Sequence, residues 1–140
     1  MKSYQFLSHV ADVRLKVEAD SLKELFSAAL EGMSNLIKTN IKTIEMSPEE
    51  TQKEKIEISS IDETALLIDF LSEVLTYTQM KKTVYFRIKF EKLTNNFLSA
   101  SIYGIKVDKF DEDIKAVTHH EAEIKQDIDG NLKTIIVFDI

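Results

Sequence analysis

Hydrophobic residues in this 140-residue chain repeat with two different periods, and this alternation restricts the folds open to it. Two segments repeat every three to four residues, as amphipathic helices do, whereas most of the remainder alternates every second residue, as strands do. The order of these segments mixes hairpins with helical crossovers. The sequence therefore predicts an α+β fold in two layers, with a mostly antiparallel or mixed β-sheet covered by two α-helices.

Both predicted helices begin at a capping sequence. Ser21 stands three residues before Glu24, which is a capping box, and hydrophobic residues follow at helical spacing as far as Ile37. A second capping sequence lies at residues 60–63, and the apolar positions behind it, from Leu66 to Tyr77, form a wide face. This pattern predicts that both helices pack on the sheet.

The strands are predicted from alternation and from turn residues. The predicted strands cover residues 13–19, 55–59, 84–90, 98–102, 117–128 and 133–140. Residues 94–96 and the pair Asp129 and Gly130 are turn formers, so each should join two strands in a hairpin. No internal repeat or low-complexity segment interrupts the chain, and we expect one domain over residues 1–140.

Composition excludes several classes of function. There is no cysteine, which rules out disulfides and thiolate chemistry, and three glycines cannot build a phosphate-cradling loop. The net charge of −6 makes autonomous nucleic-acid binding unexpected, although it suits a basic protein partner. The amino-terminal residues lack the apolar region of a signal peptide, and no stretch is long enough to span a membrane, so a cytoplasmic location is expected.

The last predicted strand ends in an unusual pair of anionic groups. Its hydrophobic residues occupy both faces, which is typical of a strand in the interior of a sheet. Asp139 follows them and precedes the terminal carboxylate of Ile140. A partly desolvated carboxylate needs a donor or a cation, whereas a frayed terminus in water would need neither. The segment therefore predicts either a cation site or a solvated chain end.

Two further segments carry residues that can bind a metal. His9 and Asp12 could supply an imidazole and a carboxylate to one centre, or could form a local turn. Residues 115–120 read K-A-V-T-H-H, and adjacent histidines in a strand would project to opposite faces. A single histidine in a strand is more often structural than a ligand, and Lys115 could equally be an ordinary lysine at a strand edge.

Together these segments resemble the archease family. Residues 9–12 (H-V-A-D) match its H-x-A-D signature, residues 115–120 resemble its K-A-x-T-[aromatic]-H motif, and the chain ends in the same Asp-Ile pair. Residues 69–75 are similar to its middle helix. The sequence departs from the family at Arg14, where glycine is common, at Phe70, where tryptophan is frequent, and at His119, where an aromatic residue is usual.

The resemblance implies a non-catalytic accessory protein. Archeases assist the RtcB-type, GTP- and metal-dependent RNA ligase that joins tRNA halves, by promoting its guanylylation and repeated turnover. By resemblance, Asp12, Asp139 and Ile140 would be metal ligands, Lys115 a further functional residue, and His9 and His120 additional candidates. An all-oxygen site favours a hard cation, Ca²⁺, Mg²⁺ or Mn²⁺, over zinc.

Two other functions fit the same residues. A chaperone-like protein could bind a tRNA-modifying enzyme and alter its specificity. A divalent-metal-dependent phosphohydrolase could use the carboxylates with His120 as general base, although few other groups of the kind it needs are evident.

Overall fold

A computed structural model describes residues 1–7, 12–44 and 47–140. In these parts of the chain it contains two α-helices, eight strands and a short 3-10 helix at Ile41–Thr43. The helices are α1 (Leu22–Ile37) and α2 (Glu63–Lys81). The strands are β1 (Lys2–Leu7), β2 (Asp12–Ala19), β3 (Gln52–Ser59), β4 (Thr83–Leu93), β5 (Phe97–Lys106), β6 (Ala116–Thr118), β7 (Lys125–Gln126) and β8 (Leu132–Asp139).

The strands form two sheets rather than one. The larger sheet has the order β1-β2-β8-β6, with β7 also paired to β8, and the three-stranded sheet has the order β3-β5-β4. Every strand pair within the described residues is antiparallel. The predicted α+β class is confirmed, and the mostly antiparallel form of the prediction is the one observed.

Both helices begin where their capping sequences predict. The Ser21 hydroxyl accepts a hydrogen bond from the Glu24 amide at 3.2 Å, and the Asp62 carboxylate accepts one from the Ala65 amide at 2.8 Å. These bonds satisfy amide groups that have no partner inside the helix. The capping residue of α2 is therefore Asp62, within the predicted segment 60–63.

One continuous hydrophobic core joins the helices to both sheets. Each helix contacts strands of the larger sheet and of the three-stranded sheet. Phe26 of α1 and Phe70 of α2 meet in this core with ring centroids 5.8 Å apart, and both side chains are fully buried. Because each helix contacts both sheets, one core can bury the apolar face of each element.

The predicted strand over residues 117–128 is wrong. Only β6 and the two-residue β7 form, and the chain between them leaves the sheet. Its amides bond to side chains instead: the Glu123 amide donates to Thr134 Oγ1 at 3.1 Å, and the Ile124 amide donates to Thr64 Oγ1 at 2.9 Å. Alternation in the sequence could not reveal these acceptors, because one of them lies 60 residues away.

The interior position of the last strand is confirmed. β8 lies between β2 and β6, and Ile136, Val137 and Phe138 are buried. Asp139, in contrast, is exposed rather than partly desolvated, because it stands at the very end of the strand. In the described part of the chain, neither helix is both long and apolar enough to cross a membrane.

Candidate functional site

The two aspartates predicted to meet are directly opposite each other. Asp12, the first residue of β2, pairs with Asp139, the last residue of β8, in the antiparallel register. Side chains at directly opposed positions share a face, with Cβ atoms about 4.5–5.5 Å apart. The next pair, Val13 and Phe138, is buried in the core, so the two carboxylates project from the opposite face of the sheet. We call Asp12 and Asp139 the two-aspartate site.

Residues on either side of Asp139 bring further groups to this end of the sheet. Ala116 of β6 pairs with Asp139 on the side away from Asp12. The Lys115 amide donates a hydrogen bond of 2.7 Å to the Asp139 carbonyl, so Lys115 is fixed next to the site by its backbone while its side chain is exposed. Ile140 follows directly, and its half-buried side chain packs against the core.

The histidines are not brought to the two-aspartate site by the described structure. His9 lies outside the described residues. β6 ends at Thr118, and the two histidines lie in the turn beyond it rather than in a strand. Since β6 runs antiparallel to β8, it leads His120 away from Asp139. His120 is exposed, and its amide donates to Thr118 Oγ1.

The chemistry of the donor set suits a hard cation. The two carboxylates have no ion-pair partner within residues 1–7, 12–44 and 47–140. Like charges directly opposite each other in a sheet are destabilising, and a cation between them would remove that penalty. No group of three or more Asp, Glu or His side chains in the described residues could hold a metal ion. Among the residues that the structure describes, a third ligand would therefore be a main-chain or terminal oxygen, as Ile140 offers.

A neighbouring ion pair was not predicted from the sequence. Arg14 lies two residues from Asp12 on the same face of β2, and its Nη2 donates to Glu121 Oε1 at 2.7 Å. Its Nε is buried and has no hydrogen-bond partner in the described residues. Glu121 adopts a φ of 64°, and it lies 107 residues from Arg14 in the sequence. Only the unusual arginine within the family motif could have indicated such a contact.

Comparison with known proteins decides the family. The model of the archease protein family (MTH1598/TM1083) matches residues 4–140. The chain belongs to the archease family. This archease is 30% identical to an archease from Pyrococcus abyssi, with all of both chains covered. It is also 30% identical to one from Methanosarcina acetivorans, with 99% of this chain and 97% of the relative covered.

Solved structures agree with the fold of this archease. The solution structure of Methanobacterium thermoautotrophicum protein 1598 matches with a TM-score of 0.74 at 24% identity, covering 98% of each chain. The crystal structure of a Thermotoga maritima archease, described as a possible chaperone, matches with a TM-score of 0.67 at 22% identity. That match covers 96% of this archease and 94% of the other chain.

Proposed function

We propose that this archease is a non-catalytic activator of an RtcB-type RNA ligase and acts through a divalent cation at the two-aspartate site. In this role it promotes guanylylation of the ligase and repeated turnover in tRNA splicing. Asp12 and Asp139 hold the ion, and a main-chain or terminal oxygen of Ile140 completes the set. The ion supplies a positive charge that can bind a phosphate or carboxylate of the partner.

The observation that carries this proposal is the register of β2 and β8. Asp12 and Asp139 are 127 positions apart in the sequence, yet they are direct partners at one end of the larger sheet. Two core strands fix their backbones, so little conformational entropy remains to be lost when an ion binds. Asp139 is exposed and Asp12 is half-buried, so a partner protein can reach the site from the side of Asp139.

Lys115 is proposed to act as a partner-facing cation at the same place. Its amide is held by the Asp139 carbonyl, whereas its side chain extends into solvent. An ammonium on a flexible stem can reach a phosphate as a point charge. His9 and His120 stay as secondary candidates. His120 lies in the turn beyond β6, away from Asp139, and is the weakest of the candidates that the structure describes.

The test removes one carboxylate without changing side-chain size. We expect Asp139→Asn to abolish stimulation of ligase guanylylation and to weaken Ca²⁺ or Mn²⁺ binding measured by titration calorimetry. Because Asp139 is exposed, the melting temperature should change by no more than about 2 °C. The matched control is Asp129→Asn, which removes an exposed carboxylate in the turn that precedes β8. Full stimulation by Asp139→Asn would refute the proposal.

The alternative of a chaperone-like modulator predicts a different response to chelation. It rests on the description of the Thermotoga maritima relative as a possible chaperone. A chaperone-like effect on the solubility or specificity of a tRNA-modifying enzyme would persist in EDTA and in Asp139→Asn. Ligase activation through a bound ion would be lost in both.

A further inference from the structure

The three-stranded sheet has one apolar face and one charged face. Side chains such as Ile56 and Ile102 point into the core on the side where α2 packs. The intervening residues of the same strands point the other way, and the long side chains among them are exposed. We define the basic sheet face as the exposed cations of this side and the central-strand residues between them: Lys53, Lys55, Arg87, Lys89, Lys92, Ser99, Ser101 and Tyr103.

The register arranges these residues in rows across the sheet. Tyr103 of the central strand β5 pairs with Lys53 on one side and with Arg87 on the other. One step along, Ser101 pairs with Lys55 and Lys89. In the third row Ser99 lies between Glu57 and Lys92. Two successive rows therefore carry a cation at both ends and a small or aromatic side chain in the middle.

This face is positive in a chain whose overall charge is negative. It holds five cations against two carboxylates, Glu57 and Glu91, while the chain carries −6. Glu91 forms an ion pair with Lys55, and this partner lowers the pKa of the Glu91 carboxyl. The other four cations have no ion pair within the described parts of the chain. Net charge, averaged over the whole surface, therefore conceals a local excess of positive charge.

The rows set two lines of cations at a defined distance from each other. Neighbouring strands are about 4.8 Å apart, so the cations of β3 and β4 flank the central strand at a separation of about 10 Å. Between the two lines lie Ser99 and Ser101, which are buried, and the Ser99 hydroxyl donates a hydrogen bond of 3.3 Å to Glu57 Oε2. The partly exposed ring of Tyr103 lies at one end, with Lys53 Nζ 5.9 Å from its centroid.

We propose that the basic sheet face binds single-stranded nucleic acid. The two lines of cations would contact the phosphates, and a base would stack on Tyr103. Unpaired cations flanking an aromatic side chain on an open sheet provide the two interactions that sequence-independent single-strand binding needs. An acidic protein surface would use the cations but would leave the stacking position without a role. The proposal is independent of ligase activation, since it needs neither the metal site nor the ligase.

The first test measures the salt dependence of binding. A fluorescein-labelled 12-nucleotide oligo(U) is titrated with the protein in EDTA, with oligo(dT) in parallel, and anisotropy is followed from 50 to 200 mM KCl. Four unpaired cations predict a slope of log affinity against log salt of about −3, at about 0.7 per phosphate contact. The absence of saturable binding to either strand at 50 mM KCl would overturn the proposal.

Matched triple variants locate the site. Lys53→Gln, Arg87→Gln and Lys89→Gln together should weaken binding at least tenfold and reduce the slope to about −1. Lys16→Gln, Lys23→Gln and Lys109→Gln together remove the same charge from exposed positions elsewhere and should leave binding within about twofold. Equal weakening by both triple variants would mean that binding depends only on the overall charge of the protein, and it would overturn the assignment of this face.

The stacking position separates nucleic acid from other polyanions. Tyr103→Ala should weaken oligo(U) binding about tenfold, whereas Tyr103→Phe, which keeps the ring, should restore it. Circular dichroism and melting temperature confirm that both variants fold. Displacement of oligo(U) by polyglutamate at equal charge concentration, together with an unchanged affinity for Tyr103→Ala, would assign the face to an acidic protein partner and overturn the proposal.

Discussion

At the scale of single residues, Tyr85 is the most unusual buried group. Its side chain is 1% exposed, and its hydroxyl has no hydrogen-bond partner within the described residues. Burial, and to a smaller degree the nearby Glu54 carboxylate, raise the pKa of Tyr85 to about 12. A phenol that stays neutral in the folded state but ionises near pH 10 in the unfolded state makes stability depend on pH.

The direction of that dependence follows from the two pKa values. Below pH 10 the phenol is neutral in both states, so the full stability is present. Between pH 10 and about 12 only the unfolded state ionises, and stability falls. At pH 11 we expect Tyr85 alone to cost about 1.4 kcal/mol relative to pH 8. Urea unfolding at pH 8 and at pH 11 should show that the free energy of unfolding falls by about 1.4 kcal/mol less in Tyr85→Phe than in the unchanged protein.

A second phenol provides the control for this measurement. Tyr103→Phe removes a hydroxyl from the outer face of the same sheet and should leave the difference between pH 8 and pH 11 as in the unchanged protein. An identical loss of stability in Tyr85→Phe and the unchanged protein would contradict the assignment to Tyr85.

The sequence predicted the wrong neighbours for Tyr85, and a bulge is the reason. Strict alternation along the predicted strand at residues 84–90 puts Tyr85 on the same face of the sheet as Arg87, and Phe86 on the other face. The register of β4 against β5 shifts between Tyr85 and Arg87, so Phe86 is the extra residue and Tyr85 shares the inner face with Ile88. A bulge reverses the alternation of faces on one side of it until the next bulge, which in β4 lies between Phe90 and Lys92, and alternation alone contains no signal for either.

At the scale of elements, the segment between β6 and β7 depends on two threonines. The Thr64 hydroxyl, in the first turn of α2, accepts a hydrogen bond from the Ile124 amide. The Thr134 hydroxyl of β8 accepts one from the Glu123 amide. These hydroxyls replace the strand partners that the segment lacks. The helices, in contrast, could be predicted to within a residue or two at their starts, because capping and periodicity are both local in sequence.

We therefore expect Thr64→Val to loosen this segment without unfolding the protein. The variant keeps the shape of the side chain but leaves the half-buried Ile124 amide without an acceptor, at a cost of about 1–2 kcal/mol. Hydrogen exchange at Ile124 should accelerate about tenfold, while amides in the middle of α2 remain unchanged.

A control for this change lies further along the same helix. Thr76 is exposed, and its hydroxyl donates to the Ser72 carbonyl within α2. Thr76→Val should leave exchange at Ile124 unaltered. Unchanged exchange in Thr64→Val would mean that the hydroxyl does not hold the segment.

At the scale of the whole molecule, the sequence predicted the properties that depend on local patterns and motifs, but not those that depend on which strands pair. Length, motifs and periodicity were sufficient for the fold class and the family. The pairing of Asp12 with Asp139 was a sound inference, because it needed only the first and last strands to be neighbours. The separation of positive charge onto the basic sheet face could not be inferred, because it depends on which strands pair and in which register.

The continuous core makes a further prediction about the molecule as a unit. Phe70 is fully buried against Phe26, at the junction between helices that each contact both sheets. Phe70→Ala should cost about 3–5 kcal/mol, and the milder Phe70→Leu should cost less, because a smaller cavity remains. Since both sheets share this core, native-state hydrogen exchange should show the same loss of protection in β2 and β8 as in β3 and β5.

An exposed hydrophobic residue just before α2 supplies the comparison. Ile61 is 90% exposed, so Ile61→Ala should change stability by less than about 0.5 kcal/mol and leave protection in both sheets as it is. Equal losses in the two sheets with either Phe70 variant would mean that residues 1–140 unfold as one cooperative domain, as the sequence predicts. Loss of protection confined to one sheet would instead mean that the helices are shared by two units that open separately, and the two-aspartate site would then belong to the larger sheet alone.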